Sequence, residues 1–276
     1  MNILTIVGIC VTVISILVTV IGIQKSGNKR NIKPTEINDE NSNYEIPATG
    51  KTIKKYSVCN ASEYYDNKPE ITPEEIEQKF ENIAKETMVG LDKDPRWLMD
   101  LDVCANIDRE CPYTTQVLVS NNEIVGYYYF LFLKKKYFNE IKNGSLTDAD
   151  INLDKIVTSD FPGEYFCYFN DIAIFPKHRW SGFVSNSTKL LDDFAERLEE
   201  YAVKSKIFIS EMCAVGFTDN GKNMCTHLGM KKVKNTDNVY SLKLLPFPQK
   251  GLISERYPKL KELYDKRYSE ISATTA

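Results

Sequence analysis

The chain is poor in the residues that build metal centres. It has two histidines, His178 and His227, far apart in sequence, and its seven cysteines (Cys10, Cys59, Cys104, Cys111, Cys167, Cys213 and Cys225) include no Cys-x-x-Cys pair. That spacing excludes the usual zinc patterns, and no metal site is expected. An excess of positive charge is also missing. Thirty-five Lys and Arg stand against 38 Asp and Glu, a net charge of −3, so there is no electrostatic footprint for nucleic acid. No segment repeats. The odd cysteine count, in strand-like or helix-like settings, points to reduced thiols in a cytosolic environment. What the chain does have is 276 residues of which 42% are hydrophobic, enough for one large domain or one domain with appendages.

One long apolar run stands at the start. Ile3 to Ile23 carries no charge and is interrupted only by Gly, Thr, Ser and Cys. As a helix it would span roughly 30 Å, about the hydrocarbon thickness of a bilayer. No Lys or Arg precedes it and no Ala-x-Ala site follows, which favours an anchor over a cleaved signal. Lys25, Lys29, Arg30 and Lys33 follow it closely, so the positive-inside rule sets the rest of the chain in the cytoplasm. Residues 1–24 are thus expected to be a single-pass transmembrane anchor. Residues 25–56, polar and rich in Asn, Lys and Glu, are expected to be a flexible tether.

The remainder alternates helix and strand patterns. Thr72-Pro73-Glu74-Glu75 is a helix start, with Thr at the N-cap, Pro in the first position and Glu three residues on. Ile76, Phe80, Ile83, Ala84 and Met88 repeat at helical spacing and predict a helix that ends near Gly90. Leu91 to Pro112, dense in charge around Trp97, reads as a loop-rich segment. Thr115–Val119 and Ile124–Leu133 flank Asn121-Asn122 as a β-hairpin. Tyr137 to Phe161 reads as a polar insertion with a short helix near Leu146 to Ile151. Then come a proline-ended strand, Tyr168 to Pro176, and a basic turn, Lys177-His178-Arg179-Trp180-Ser181-Gly182. An amphipathic helix over Asn186–Lys204, a strand over Ile207–Cys213 and a short helix ending in His227-Leu228-Gly229-Met230 follow. The last elements are a strand over Val239–Leu245 and a helix over Pro258–Ser269. A strand, a turn and a helix N-terminus in succession form a place for phosphate.

This order of elements resembles the GCN5-related N-acetyltransferase superfamily over roughly Pro73 to Leu245. The resemblance rests on Glu123-Ile124-Val125-Gly126-Tyr127, Ile172-Ala173-Ile174-Phe175-Pro176 and Gly221 to Met230. It implies an α/β (α+β) fold, a central mixed, mostly antiparallel sheet flanked by helices, over residues 57–250, with 251–276 a C-terminal helical extension. It also implies acetyl-CoA as acyl donor and an amine on a small molecule or protein as acceptor. In the family the backbone of the proline-ended strand pairs with the pantetheine arm, here at Ile172, Ala173 and Ile174. The following turn holds the pyrophosphate, usually as Gln/Arg-x-x-Gly-x-Gly/Ala. Arg179, Trp180, Ser181, Gly182, Phe183 and Val184 match the Arg and the first Gly, while Val184 replaces the last small residue. Ser185, Asn186 and Ser187 follow before the helix and offer hydroxyls and N–H groups for phosphate. Asn220, at the start of the short helix, is a further contact.

Acetyl transfer to an amine also needs a base, because a lysine-like amine is protonated at neutral pH. Asp171, directly before Ile172, is the first choice, with Tyr168 and Glu164 as alternatives. The family often protonates the departing thiolate with a tyrosine; Cys225 stands at that position here, and His227 lies two residues on. Three readings follow: a membrane-tethered N-acetyltransferase, a degenerate acyl-CoA-binding or interaction module, and an acyltransferase acting on proteins or lipids near its anchor. The acidic segment between Asp92 and Glu110 would favour a cationic acceptor.

Overall fold

A computed structural model describes residues 55–66, 71–88, 91, 94–159, 161–181 and 184–275. The expected anchor over 1–24, nearly all of the tether, and Gly182 and Phe183 of the turn lie outside the described residues. Among the described residues no helix is long and apolar enough to cross a membrane.

A seven-stranded sheet forms the centre, in the order β1-β2-β3-β4-β7-β9-β8. Its strands are β1 (Tyr56–Asn60), β2 (Thr115–Ser120), β3 (Glu123–Leu133), β4 (Gly163–Ile174), β7 (Ile207–Val215), β8 (Lys231–Lys232) and β9 (Val239–Lys243). Only β4 and β7 pair in parallel; the other neighbours are antiparallel. This is the mixed, mostly antiparallel sheet that the resemblance implied. A two-residue ribbon, β5 (Trp180–Ser181) with β6 (Val184–Ser185), stands apart from it.

Helices cover both faces. On one side lie α2 (Pro73–Thr87), α3 (Leu101–Glu110) and α4 (Lys135–Lys142); on the other lie α5 (Asn186–Glu200) and α8 (Pro258–Thr275). Strand β3 shows why its sequence is an unbroken apolar run. Tyr127, Tyr129, Leu131 and Leu133 face the α2 side, and Tyr128, Phe130 and Phe132 face α5. A strand buried on both faces has no polar alternation to show. The hairpin turn behaves as its residues require: Asn121 and Asn122 take φ of 53° and 61°, the left-handed pair that Asn tolerates.

Four segments differ from the sequence-based expectation. Leu91–Pro112 contains the ten-residue helix α3, started by Asp100, whose carboxylate accepts from the Asp102 and Val103 N–H groups. Its buried face is only Cys104, Ala105, Ile107 and Asp108, so charge hid the helical period. Lys135–Lys142 is a helix within the expected polar insertion, anchored by buried Phe138 and Ile141. At the far end of α5 the helix widens into a π turn, Tyr201–Ser205, closed by left-handed Lys206. Upstream of α2, β1 and the short helix α1 (Ala61–Asp66) were not read from the sequence. On the C-terminal side Leu260 and Tyr264 of α8 are wholly buried in the same core as Leu190 and Phe194.

Candidate active site

Strand β4 carries the feature that organises the site. Its pairing to β7 ends at Phe169 opposite Ala214, yet β4 runs on to Ile174. From Asp171 to Ile174 it pairs only with β3 among the described residues, so its other edge is open. At the same place the β3–β4 register slips: Tyr129 opposes Asp171, Phe130 opposes Phe169, and Asn170 is left without a cross-strand partner. An extra residue in one strand reverses which face the following side chains meet. Phe169 packs on the α5 side, whereas Ala173, two pairs after the bulge, packs on the α2 side with Tyr127. The bulge thus turns Asp171 toward Tyr127. The Tyr127 hydroxyl donates to Asp171 Oδ2, and Tyr127 itself is held by stacking on Phe80 of α2, with centroids 4.5 Å apart. Gly126 makes the close approach possible, since a Cβ there would lie 2.8 Å from the Ala173 carbonyl oxygen.

A cavity of about 710 Å³ opens along this bare edge. At one end it is lined by Arg179, Trp180, Ser185, Ser187 and Thr188 around the start of α5, and by Thr218 and Asn220 at the start of α6 (Asp219–His227). The first N–H groups of a helix have no intrahelical partner and favour anions. Asn186 fixes the geometry of this end without lining it. It is fully buried, its side-chain Nδ2 donates to the His178 carbonyl (2.7 Å) and its backbone N–H donates to the Arg179 carbonyl (2.9 Å). The basic turn is thereby pinned to the helix start. Ser185 and Ser187 share a hydrogen bond of 2.6 Å between their hydroxyls.

The other end is acidic. Glu77, Asp148 and Asp171 line it with Tyr127, Tyr129, Cys104 and Thr115, and Phe80, Met88, Leu98 and Met99 form apolar wall. Burial pushes the Asp171 carboxyl up to about 6, against the lowering effect of the Tyr127 hydrogen bond. Burial likewise raises Asp148 to about 7, and burial together with neighbouring Asp108 holds Glu77 well above the usual carboxylate range.

The residues singled out in the sequence therefore separate. Asp171, Cys225, His227, Ile172, Ala173, Ile174, Arg179, Trp180, Ser185, Ser187 and Asn220 all line the one cavity. Asn186 and Ser181 are not on its wall. Tyr168 is wholly buried away from it, donating to Asp148 Oδ1 (2.6 Å); two strand positions from Phe166, it lies on the α2 face behind Asp148. Glu164 is near the other end of β4, beside Arg267 of α8 (3.3 Å). The Cys225 thiol is buried and pushed up to about 11. His227 Nδ1–H donates to the Asn223 carbonyl (2.7 Å). Tyr127, Glu77, Asp148 and Asn170 were missed. Only Tyr127 left a signal, its place two residues from Tyr129 on one face of β3.

No family model matches the chain, and no curated protein matches it. Solved structures do. An N-acyl amino acid synthase from uncultured soil microbes is 10% identical, covering 74% of this chain and 98% of that one, with a TM-score of 0.44. A GNAT family acetyltransferase from Brucella melitensis, in complex with acetyl-CoA, is 11% identical, covering 72% and 94%, with a TM-score of 0.33. The loading GNATL domain of CurA from Lyngbya majuscula is 11% identical over 58% of this chain and 64% of that chain, with a TM-score of 0.35. At such identities and scores these likenesses bear no weight for activity, which rests on the geometry above.

Proposed function

We propose that the chain is an N-acyltransferase that moves an acetyl group from acetyl-CoA to an amine. The observation that carries this reading is the coincidence, in one cavity, of the open β4 edge, the Arg179 and Ser187 end, and the Asp171–Tyr127 pair. An extended amide-bearing arm fits an open strand edge, because each backbone N–H and C=O there requires a partner. Arg179, the serine hydroxyls and the α5 N-terminus would hold the pyrophosphate. Two unpartnered buried atoms, Asn170 Nδ2 and Asp171 Oδ1, support a polar occupant at the junction.

Acetyl-CoA supplies the activated thioester. Asp171, ionised above about pH 6, takes a proton from the attacking amine. Tyr127 keeps the carboxylate aimed, and the β4 backbone N–H groups polarise the carbonyl. The new N–C bond forms as the C–S bond breaks, and the thiolate receives a proton from solvent, His227 or Cys225. A thiol raised to about 11 parts with its proton reluctantly, and this favours a second reading: a module that binds acyl-CoA with little turnover. The apolar run Ile3–Ile23 and its basic flank support a membrane-tethered enzyme working on the cytoplasmic side, a part of the proposal that rests on sequence.

Calorimetric titration of the full-length protein with acetyl-CoA, paired with release of free CoA in the presence of amines, tests the proposal. Binding with turnover supports it; binding alone favours the second reading; no binding at high micromolar concentration removes both.

A further inference from the structure

The acidic end of the cavity holds more carboxylate than acetyl transfer requires. One base is enough to take the proton of the amine, and Asp171 supplies it on the acyltransfer reading, on which this inference rests. Glu77 and Asp148 line the same end and are buried, with exposures of 7% and 8%. Asp108, also 7% exposed, backs Glu77 through a carboxyl–carboxyl hydrogen bond. The groups come from four separate segments, α2, α3, the turn at Asp148–Asp150 and β4. Among the described residues the basic ones on the cavity wall are Arg179 and His227, and both belong to the end formed by α5 and α6. Among the described residues no group of carboxylates, cysteines and histidines converges as metal ligands.

An independent observation points to a missing ligand. Tyr129 lines this end, is 7% exposed, and its hydroxyl has no hydrogen-bond partner among the described residues. Asp108 and Glu77 are among the groups whose charge acts on it, after Cys104. Asp171 Oδ1 is likewise without a partner. Buried polar atoms are normally satisfied, and each orphan calls for an explanation. A buried carboxylate without a cation is costlier still. Beside the carboxylates the wall carries Phe80, Ala84, Met88, Leu98 and Met99, a lining for methylene groups, together with Glu81, which is paired to Lys85.

We infer that the acceptor is a short aliphatic diamine, one nitrogen acylated beside Asp171 and the other held as an ammonium by Glu77, Asp148 and the Tyr129 hydroxyl. A monoamine would leave Glu77 and Asp148 uncompensated. A large cationic chain would not fit an interior site of this size. Acylation removes one positive charge and leaves the second in place, so product and substrate differ most at the Asp171 end.

The test is calorimetric titration of the full-length protein with diaminobutane and, separately, with butylamine at about pH 8. The diamine should bind at least about tenfold more tightly. Glu77→Gln and, independently, Asp148→Asn should abolish most of that preference while leaving the affinity for CoA unchanged, which also reports that each variant is folded. Equal affinity for the two amines, or a preference that survives both substitutions in protein that still binds CoA, overturns the inference. Diamine binding retained in protein that fails to bind acetyl-CoA overturns acetyl transfer and leaves the acidic site standing. CoA release with equal efficiency for both amines does the reverse.

Discussion

At its α5 end the cavity is built from backbone and hydroxyls; at its α2 end it is built from buried carboxylates. Arg179, Ser185 and Ser187 lie within nine positions of one another, and their shape depends on one local device, Asn186 tying the turn to the helix start. Glu77, Asp108, Asp148 and Asp171 meet only because two helices, a turn and a strand pack around them. The first end tolerates substitution of single side chains, since helix N–H groups remain. The second is a set of acids raised chiefly by burial, in which Asp108 also raises Glu77 and Asp171 also raises Asp148.

That contrast can be broken or sharpened experimentally. The largest effect is expected at the junction. Asp171→Asn should lower kcat by about 100-fold or more with the affinity for acetyl-CoA retained; unchanged turnover would remove Asp171 as the base. Next is Gly126→Ala, whose Cβ would lie 2.8 Å from the Ala173 carbonyl oxygen. It should destabilise the fold by about 2–3 kcal/mol, read as a lower Tm, and a neutral result would mean that β3 and β4 can part there freely. At the α5 end, Arg179→Ala should weaken acetyl-CoA binding about tenfold and leave amine binding alone. Equal loss of both would deny that the two ends are separate.

Smaller effects follow from the raised acids. The folded-state value of Asp148, about 7, is above that of an unfolded aspartate, so its contribution to stability is present at low pH and is lost as pH rises through about 7. Asp148→Asn keeps an acceptor for the Tyr168 hydroxyl and escapes that loss. It should stabilise the protein by on the order of 2 kcal/mol at about pH 8, with the gain fading toward pH 4; urea unfolding at the two pH values decides. Last, Tyr127→Phe removes the hydrogen bond that lowers the Asp171 pKa. The acidic limb of kcat/KM, expected near pH 6, should move upward, and a downward shift would contradict the pairing.

Much of the α5 end was legible in the sequence because its information is local. The proline after Phe175, the basic turn and the amphipathic period of Asn186 onward mark a strand, a turn and a helix in succession. Even there, the part played by Asn186 was not legible, since a side chain that pins a loop looks the same in sequence as one that binds phosphate. The segment Asp92 to Glu110 was expected to rim the acceptor site with acid; Trp97, Leu98, Met99, Leu101 and Cys104 of it line the cavity, but among its described acids only Asp108 is buried, and it backs Glu77 instead of lining the cavity. Nothing in the period of α2 singled out Glu77, and Asp148 lay in the expected polar insertion.

By itself the sequence determined α2, the β2–β3 hairpin, the end of β4, α5, β7, α6 and β9, through capping, periodicity and turn residues that act over a few positions. It also placed Asp171 directly before the open strand edge. Tertiary structure alone decided where β7 leaves β4, which face the Asn170 bulge turns Asp171 toward, and that Glu77 and Asp148 share its cavity. Register and burial arise between segments distant along the chain, and a carboxylate's charge and role depend on what surrounds it, not on its neighbours in sequence.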